Sequence, residues 1–219
     1  LMQAYARAAE KISREAVGDV EASAGMSAYN VSRVVNQMRH IQGAPFGTRG
    51  GVSVLHTFPT DGTYTFKVDL HHWFTGNIIG SRLAAPLRNQ EIDISIDGER
   101  ALLIAIDPNM LEENGPIVSE PIHIEAGQHR VAAAFLSKFD GPIQDPYRLV
   151  EHTLVSTDIA NQPQMTAMPH LKTLSITGPF ETTGISETNT RNKIFTCRPI
   201  EAGNEVACAR KIISRLTRQ

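Results

Sequence analysis

One run of eight residues constrains the fold of this chain more than any other segment. Over residues 63–70 polar and apolar side chains alternate without interruption, and the apolar positions are Tyr64, Phe66, Val68 and Leu70. Because successive side chains of a strand point to opposite faces, the pattern predicts a β-strand with one face in a core. The Asp61-Gly62 pair before it, preceded by a strand-like segment at 52–58, indicates a β-hairpin.

Several further segments have the length and alternation of short strands. Residues 91–97 reach Gly98 and predict a pair with 101–106, and residues 121–125 predict a pair with 130–136. A last strand is predicted at 171–177, where Gly178-Pro179 follows. Strands do not alternate with long helices, which disfavours a parallel α/β sheet. The sequence therefore predicts a mainly β protein built as an antiparallel β-sandwich.

Both ends of the chain have helical periodicity. Apolar side chains recur at three- and four-residue steps over residues 1–17, and a similar pattern resumes at Ala207. These patterns predict short α-helices flanking the sandwich at both ends. We expect the chain to be a piece of a longer protein. It is predicted to contain the end of a preceding helical domain (1–20), a β-sandwich module (21–180), a linker (181–206) and the start of a following helical domain (207–219).

Composition narrows the classes of partner. The net charge of −2 gives no basic excess, so a nucleic-acid partner is not expected, and the longest apolar runs are far too short to span a membrane. The only two cysteines, Cys197 and Cys208, lie close together in a polar segment without a nearby histidine. We predict a disulfide between them, the alternative being two free thiols of a cytosolic protein. Neither belongs to a Cys-x-x-Cys-His motif, so no haem attachment is predicted.

Many segments resemble one protein family. The longest are Gly-Ala-Pro-Phe-Gly-Thr-Arg-Gly-Gly at 43–51, Phe-Pro-Thr-Asp-Gly-Thr-Tyr-Thr-Phe at 58–66, Ser-Ile-Asp-Gly-Glu-Arg at 95–100 and Lys-Ile-Phe-Thr-Cys-Arg-Pro at 193–199, with shorter ones at 151–154, 169–171, 175–179 and 208–211. In these the chain resembles the large exported multidomain proteins of the planctomycete cytochrome C type, in which a c-type cytochrome domain is joined to several domains of unknown function.

This resemblance implies a context rather than a reaction. It implies a periplasmic or cell-surface location, a haem bound elsewhere in the parent protein, and neighbouring domains or subunits of the parent assembly as partners. An oxidoreductase activity is an expectation for the parent. The family supplies no catalytic residues for this chain, and the sequence contains no catalytic motif, so we expect this part of the protein to be non-catalytic.

A second, structural resemblance concerns the ligand. Gly-Thr-Tyr-Thr-Phe after an Asp-Gly turn, followed by a strand that ends in Asp-Gly, is similar to jelly-roll carbohydrate-binding modules. It implies a polysaccharide or cell-surface glycan as partner. The only tryptophan, Trp73, offers a face for sugar stacking, with His71 and Asn77 to bond hydroxyl groups. The alternative is a tryptophan packed in the core or against the flanking helices.

A polar loop suggests a cation site. Asp107, Asn109, Glu112 and Glu113 supply oxygen ligands in a glycine-containing segment, which suits calcium, although their spacing differs from that of the twelve-residue helix-loop-helix calcium motif. The alternative is a solvated loop.

Two functions follow from the sequence. A carbohydrate-binding module predicts a polar or aromatic cleft at one end of the sandwich. A structural spacer predicts end helices that bury against neighbouring domains.

Overall fold

A computed structural model describes residues 1–72, 76–79, 90–107, 109–137, 169–199 and 203–218. The helices are α1 (Met2–Val17), α2 (Asn189–Ile194) and α3 (Glu205–Leu216), with a 3₁₀ turn at Glu112–Asn114. The strands are β1 (Gly25–Asn30), β2 (Thr48–Phe58), β3 (Asp61–Leu70), β4 (Glu91–Ile96), β5 (Glu99–Ala105), β6 (Ile117–Val118), β7 (Ile122–Ile124), β8 (Gly127–Leu136) and β9 (Leu171–Gly184).

The strands form two antiparallel sheets. The first has the order β1-β9-β3-β6, with β7 also paired to β3, and the second has the order β2-β8-β4-β5. The pairs are nested: β1 with β9, β2 with β8, β3 with β6 and β7, and β4 with β5. Such a nest is one long antiparallel hairpin rolled over into two layers, which is jelly-roll topology. The predicted mainly β sandwich with helices at both ends is confirmed.

The core lies between the sheets, and β3 supplies its centre. The predicted apolar face of β3 is confirmed, because Tyr64, Phe66, Val68 and Leu70 are each at most 3% exposed. Branched and aromatic side chains of the second sheet oppose them, among them Ile92, Ile94, Val131 and Phe135. Full burial of each such side chain stabilises the fold by about 1.5–3 kcal/mol, so this layer of contacts holds the two sheets together.

Two predicted hairpins are wrong, although their strands are present. β2 and β3 follow one another but lie in different sheets, and the same is true of β7 and β8. Turn residues indicate that the chain reverses, but they do not indicate which sheet receives the next strand. The β4–β5 hairpin is confirmed: its two turn residues, Asp97 and Gly98, have φ angles of 52° and 87°, as a type I′ turn requires.

Several elements differ from the prediction; β2 and β8 begin earlier than predicted, at Thr48 and Gly127, and β6 was not predicted. β1 forms in a segment for which no strand was predicted, and β9 continues past Gly178-Pro179 to Gly184. α2 lies within the predicted linker at 181–206. The helices α1 and α3 confirm the prediction, made from the periodicity, of a helix at each end of the chain. The division into domains stays a prediction.

A bulge in β2 explains the glycine pair that precedes its regular part. The register of β2 shifts between Arg49 and Val52, and a Cβ on Gly51 would lie only 1.9 Å from the carbonyl oxygen of Ala133. The bulge turns Arg49 inward, where it donates to Gln37 O at 3.0 Å and to Gln90 Oε1 at 2.8 Å. Burial lowers the pKa of Arg49 to about 10, which leaves it charged at neutral pH and satisfied by these bonds.

The predicted disulfide is confirmed. Cys197 and Cys208 are bonded, with their Cα atoms 5.4 Å apart. The bond joins the segment after α2 to α3, and Cys208 is the buried residue of that helix. None of the helices in the described part of the chain is long and apolar enough to cross a membrane.

Candidate functional site

A cleft of about 330 Å³ lies between α1 and the ends of both sheets, and we call it the α1 cleft. α1 supplies one wall, and the sandwich supplies the other through β1, β2 and β9. The helix is anchored at its C-terminal end: Asp19 N donates to Pro59 O at 2.7 Å, and Arg191 of α2 donates to Val17 O. Gly18 allows this close approach, because a Cβ there would lie 2.7 Å from Ile185.

His56 is the most strongly perturbed titratable group that lines the α1 cleft. Burial, and then the nearby charge of His129, lower the pKa of His56 to about 4, so its imidazole is neutral at pH 7. Its Nδ1 lies 2.7 Å from the hydroxyl of Tyr29, which stands on the edge strand of the other sheet. His56 is among the residues that line the cleft, where a neutral imidazole can exchange a hydrogen bond with an uncharged ligand.

Charges in the α1 cleft balance one another. Lys11 pairs with Glu15 at 3.9 Å, and Arg14 pairs with Asp19 at 3.0 Å. All four side chains line the cleft, so the formal charge of its described lining sums to zero. The described lining therefore presents hydrogen-bonding groups without an excess of either charge, while Glu10, which is not among the lining residues, also bonds Arg14 at 3.0 Å.

The rest of the lining mixes hydroxyl groups with apolar surface. Burial raises the pKa of Tyr64 to about 12, and its hydroxyl donates to Thr60 O at 2.8 Å. The other contributors are the hydroxyls of Ser23, Ser27 and Thr57 and the apolar groups of Met26, Pro59, Ile176 and Pro179. This arrangement can bind a small uncharged molecule that carries both hydroxyl groups and C–H faces.

The sequence-predicted ligand residues lie elsewhere, at the end of β3. His71 is half-buried, and burial, followed by the charge of Arg33, lowers its pKa. Its Nε2 is buried and has no hydrogen-bond partner among the described residues. Asn77 is half-buried and forms an isolated β-bridge with Leu111. Trp73 lies outside the described residues, so its stacking role stays a prediction.

The predicted calcium ligands Asp107, Asn109, Glu112 and Glu113 are all exposed. Asp107 Oδ1 accepts a hydrogen bond from Asn109 N at 2.8 Å, which fixes a local turn. Within the described ranges, no group of three or more His, Cys, Asp or Glu side chains is placed to hold a metal ion. The calcium site stays a prediction.

The fold brings the two predicted sites together. Glu112 N donates to Gly76 O at 2.8 Å, next to the bridge between Asn77 and Leu111. The segment after β3 and the loop after β5 therefore meet at one place on the molecule. Their apposition depends on a pairing between residues far apart in the chain, which no local pattern in the sequence predicts.

Another polar cleft, of about 400 Å³, is lined by His123 and His129. His129 Nδ1 lies 2.6 Å from Asp97 Oδ2, and Asp97 Oδ1 accepts from Arg130 N at 2.8 Å. Asp97 thus joins the β4–β5 turn to β8. These contacts hold two elements of the same sheet together, so we interpret the His–Asp pair as a stabilising contact.

Sequence reasoning missed the α1 cleft. His56 falls within the predicted strand 52–58, but nothing in that run indicates that Tyr29 or α1 lies beside it. The only available signal was the polar half of the α1 periodicity, which contains Lys11, Arg14 and Glu15. Comparison with protein-family models, with curated proteins and with solved structures finds no match.

Proposed function

We propose that this chain is a non-catalytic binding module that holds an uncharged carbohydrate, part of a polysaccharide or cell-surface glycan, in the α1 cleft. The observation that carries the proposal is the combination of zero formal charge with hydroxyl, imidazole and apolar groups in one cleft. Sugars present hydroxyl groups and C–H faces together, and the cleft offers partners for both.

The size of the cleft favours a short ligand. Its volume of about 330 Å³ is near the lower limit of roughly 300–1,000 Å³ that is typical of small-molecule sites. A glycan end or side branch suits this volume better than the middle of a long polymer. The neutral state of His56 supports the same ligand class, because an uncharged imidazole bonds a hydroxyl without adding a charge to the cleft.

The test is binding of the purified chain to soluble and insoluble polysaccharides, measured by calorimetry and pull-down. We expect saturable binding that weakens at least tenfold in the double variant Lys11→Ala/Glu15→Ala. That variant leaves the net charge unchanged and alters exposed side chains, so folding should be preserved. The matched control is Glu205→Ala/Arg210→Ala, a charge-neutral pair on α3 that is expected to bind like the parent chain.

Two further arms of the experiment locate the site. Binding that survives the α1 variant but falls on Trp73→Ala would move the site to the junction of His71 and Asn77 and contradict the α1 assignment. Loss of binding in chelator would support calcium at Asp107, Asn109, Glu112 and Glu113. A folded chain that binds no glycan in any arm would overturn the proposal.

A second candidate function, a spacer that positions the haem-bearing and helical domains of a larger electron-transfer protein, is favoured by one observation. Both end helices leave apolar side chains uncovered in the described part of the chain. At the α1 end the exposed fractions are 65–96%, for Leu1, Met2, Tyr5 and Ile12. On α3 they are 48–64%, for Val206, Ile213 and Leu216. Such surfaces are typical of places where another domain packs. Absence of glycan binding, together with stable association with a neighbouring helical domain, would support this function instead.

A further inference from the structure

The disulfide places one side of α3 against the segment that follows α2, and a second cleft lies there. It has a volume of about 620 Å³ and is lined by Thr196, Lys211, Ser214, Arg215 and Arg218. We call it the α3 cleft. None of its described lining residues also lines the α1 cleft.

Helix periodicity explains why these side chains converge. Counted from Cys208, the residues at steps of three, seven and ten are Lys211, Arg215 and Arg218. At 3.6 residues per turn Lys211 and Arg215 lie on the same face of α3 as Cys208, and Arg218 follows in the turn after the helix, where its N–H donates to Arg215 O at 3.3 Å. The bond to Cys197 therefore turns the cationic face of α3 towards Thr196, which precedes that cysteine in the chain.

Over the described residues, the lining of the α3 cleft has an excess of positive charge. Lys211, Arg215 and Arg218 make no ion pair with any carboxylate in the described part of the chain, whereas Arg198 nearby is paired with Glu187. Three positive charges that line one cleft repel one another and raise the local concentration of anions. The hydroxyls of Thr196 and Ser214 add neutral hydrogen-bond donors to the same cleft.

We propose that the α3 cleft is a binding site for a phosphate or sulfate group, free or as an ester. A tetrahedral oxyanion presents several acceptor oxygens, and the arginines, the lysine and the hydroxyls offer donors from different directions. A carboxylate has only two oxygens in one plane and would leave part of this donor set unused. This proposal does not depend on glycan binding in the α1 cleft.

The test titrates inorganic phosphate and inorganic sulfate into the full chain at low ionic strength, followed by calorimetry and by the amide resonances of α3. We expect saturable binding that the double variant Arg215→Gln/Arg218→Gln weakens at least tenfold. Glutamine has a helix propensity close to that of arginine, so α3 should persist, and circular dichroism checks this. The control is Arg7→Gln/Arg210→Gln, which removes the same charge from residues that do not line the cleft.

The outcomes separate a site from a general charge effect. Equal weakening by both double variants would show long-range attraction only and overturn the proposal, as would acetate binding as tightly as phosphate. Comparison of glucose 6-phosphate with glucose 6-sulfate distinguishes the two esters, and tighter binding of either one than of the free ion would support an esterified ligand. Failure of all these anions to bind to the folded chain would also overturn it.

Discussion

The α1 cleft and the α3 cleft stand beside the two end helices, yet they are built differently. The α1 cleft takes one wall from both sheets of the sandwich, and its cations are matched by carboxylates. The α3 cleft takes its wall from a short segment held by a disulfide, and its three cations have no carboxylate partner in the described part of the chain. The difference shows that shape alone does not assign a ligand, because the charge balance of the lining decides which class can bind.

The two clefts also differ in what maintains them. His56 belongs to a strand of the jelly roll and contacts Phe58, whose ring centroid lies 4.5 Å away, so the α1 cleft depends on the core. In α3 only Cys208 is buried among the described residues, so the α3 cleft depends on one covalent bond. Perturbing the core should therefore affect the first cleft, and perturbing the disulfide should affect the second.

The largest expected effect is on the core. Phe66→Ala removes a fully buried ring from β3 and should lower the free energy of unfolding by about 3–5 kcal/mol, because a cavity remains between the sheets. Chemical denaturation measures the loss. Leu55→Ala, at a position 53% exposed on β2, is the control and should cost less than about 1 kcal/mol. A loss below about 1 kcal/mol for Phe66→Ala would contradict the assignment of the buried face.

The next effect is on the pH dependence of stability. The folded pKa of His56 is about 4 and lies below the unfolded value near 6.5, so the unfolded chain takes up a proton first as the pH falls. The free energy of unfolding should therefore decrease between pH 6.5 and 4, by about 1–2 kcal/mol once screening by solvent is allowed for. His56→Gln should flatten this slope. The pKa of His71 is also lowered by burial, so a smaller decrease in the free energy of unfolding should persist in this variant.

The smallest expected effect on the sandwich comes from the disulfide. Closing a short loop stabilises a protein by up to about 3 kcal/mol in the chain-entropy model, but only if the loop unfolds together with the rest. Because α3 buries little, Cys197→Ser/Cys208→Ser should change sandwich stability by less than about 1 kcal/mol, as measured by amide exchange in β3. The same variant should weaken phosphate binding several-fold. A change near 3 kcal/mol would show that α3 and the sandwich unfold together.

Features that depend on neighbours in the sequence were predictable. The alternation of β3 gave the correct buried face, the Asp97-Gly98 turn gave the correct hairpin, and the short spacing of Cys197 and Cys208 gave the correct disulfide. Each of these rests on a period or a turn that a few residues encode.

Features that depend on sheet assignment were not predictable. β2 and β3 satisfied every local criterion of a hairpin and yet pair with β8 and β9. The α1 cleft required β1, β2 and a helix from the chain terminus to meet, and none of those adjacencies is encoded in a short segment. For the same reason the sequence directed attention to His71 and Asn77 rather than to His56.

The nested pairing of the strands has a consequence for how the chain folds. The outermost pair joins Gly25 to Gly178, and β3 also needs β9 as its partner. During synthesis the N-terminal strands therefore emerge long before the strand that completes their sheet, and their edges stay unpaired in the meantime. Contacts so distant in sequence make folding slow, because the entropy of closing a long loop is lost before the contacts form. The completion of the first sheet is thus tied to the arrival of β9.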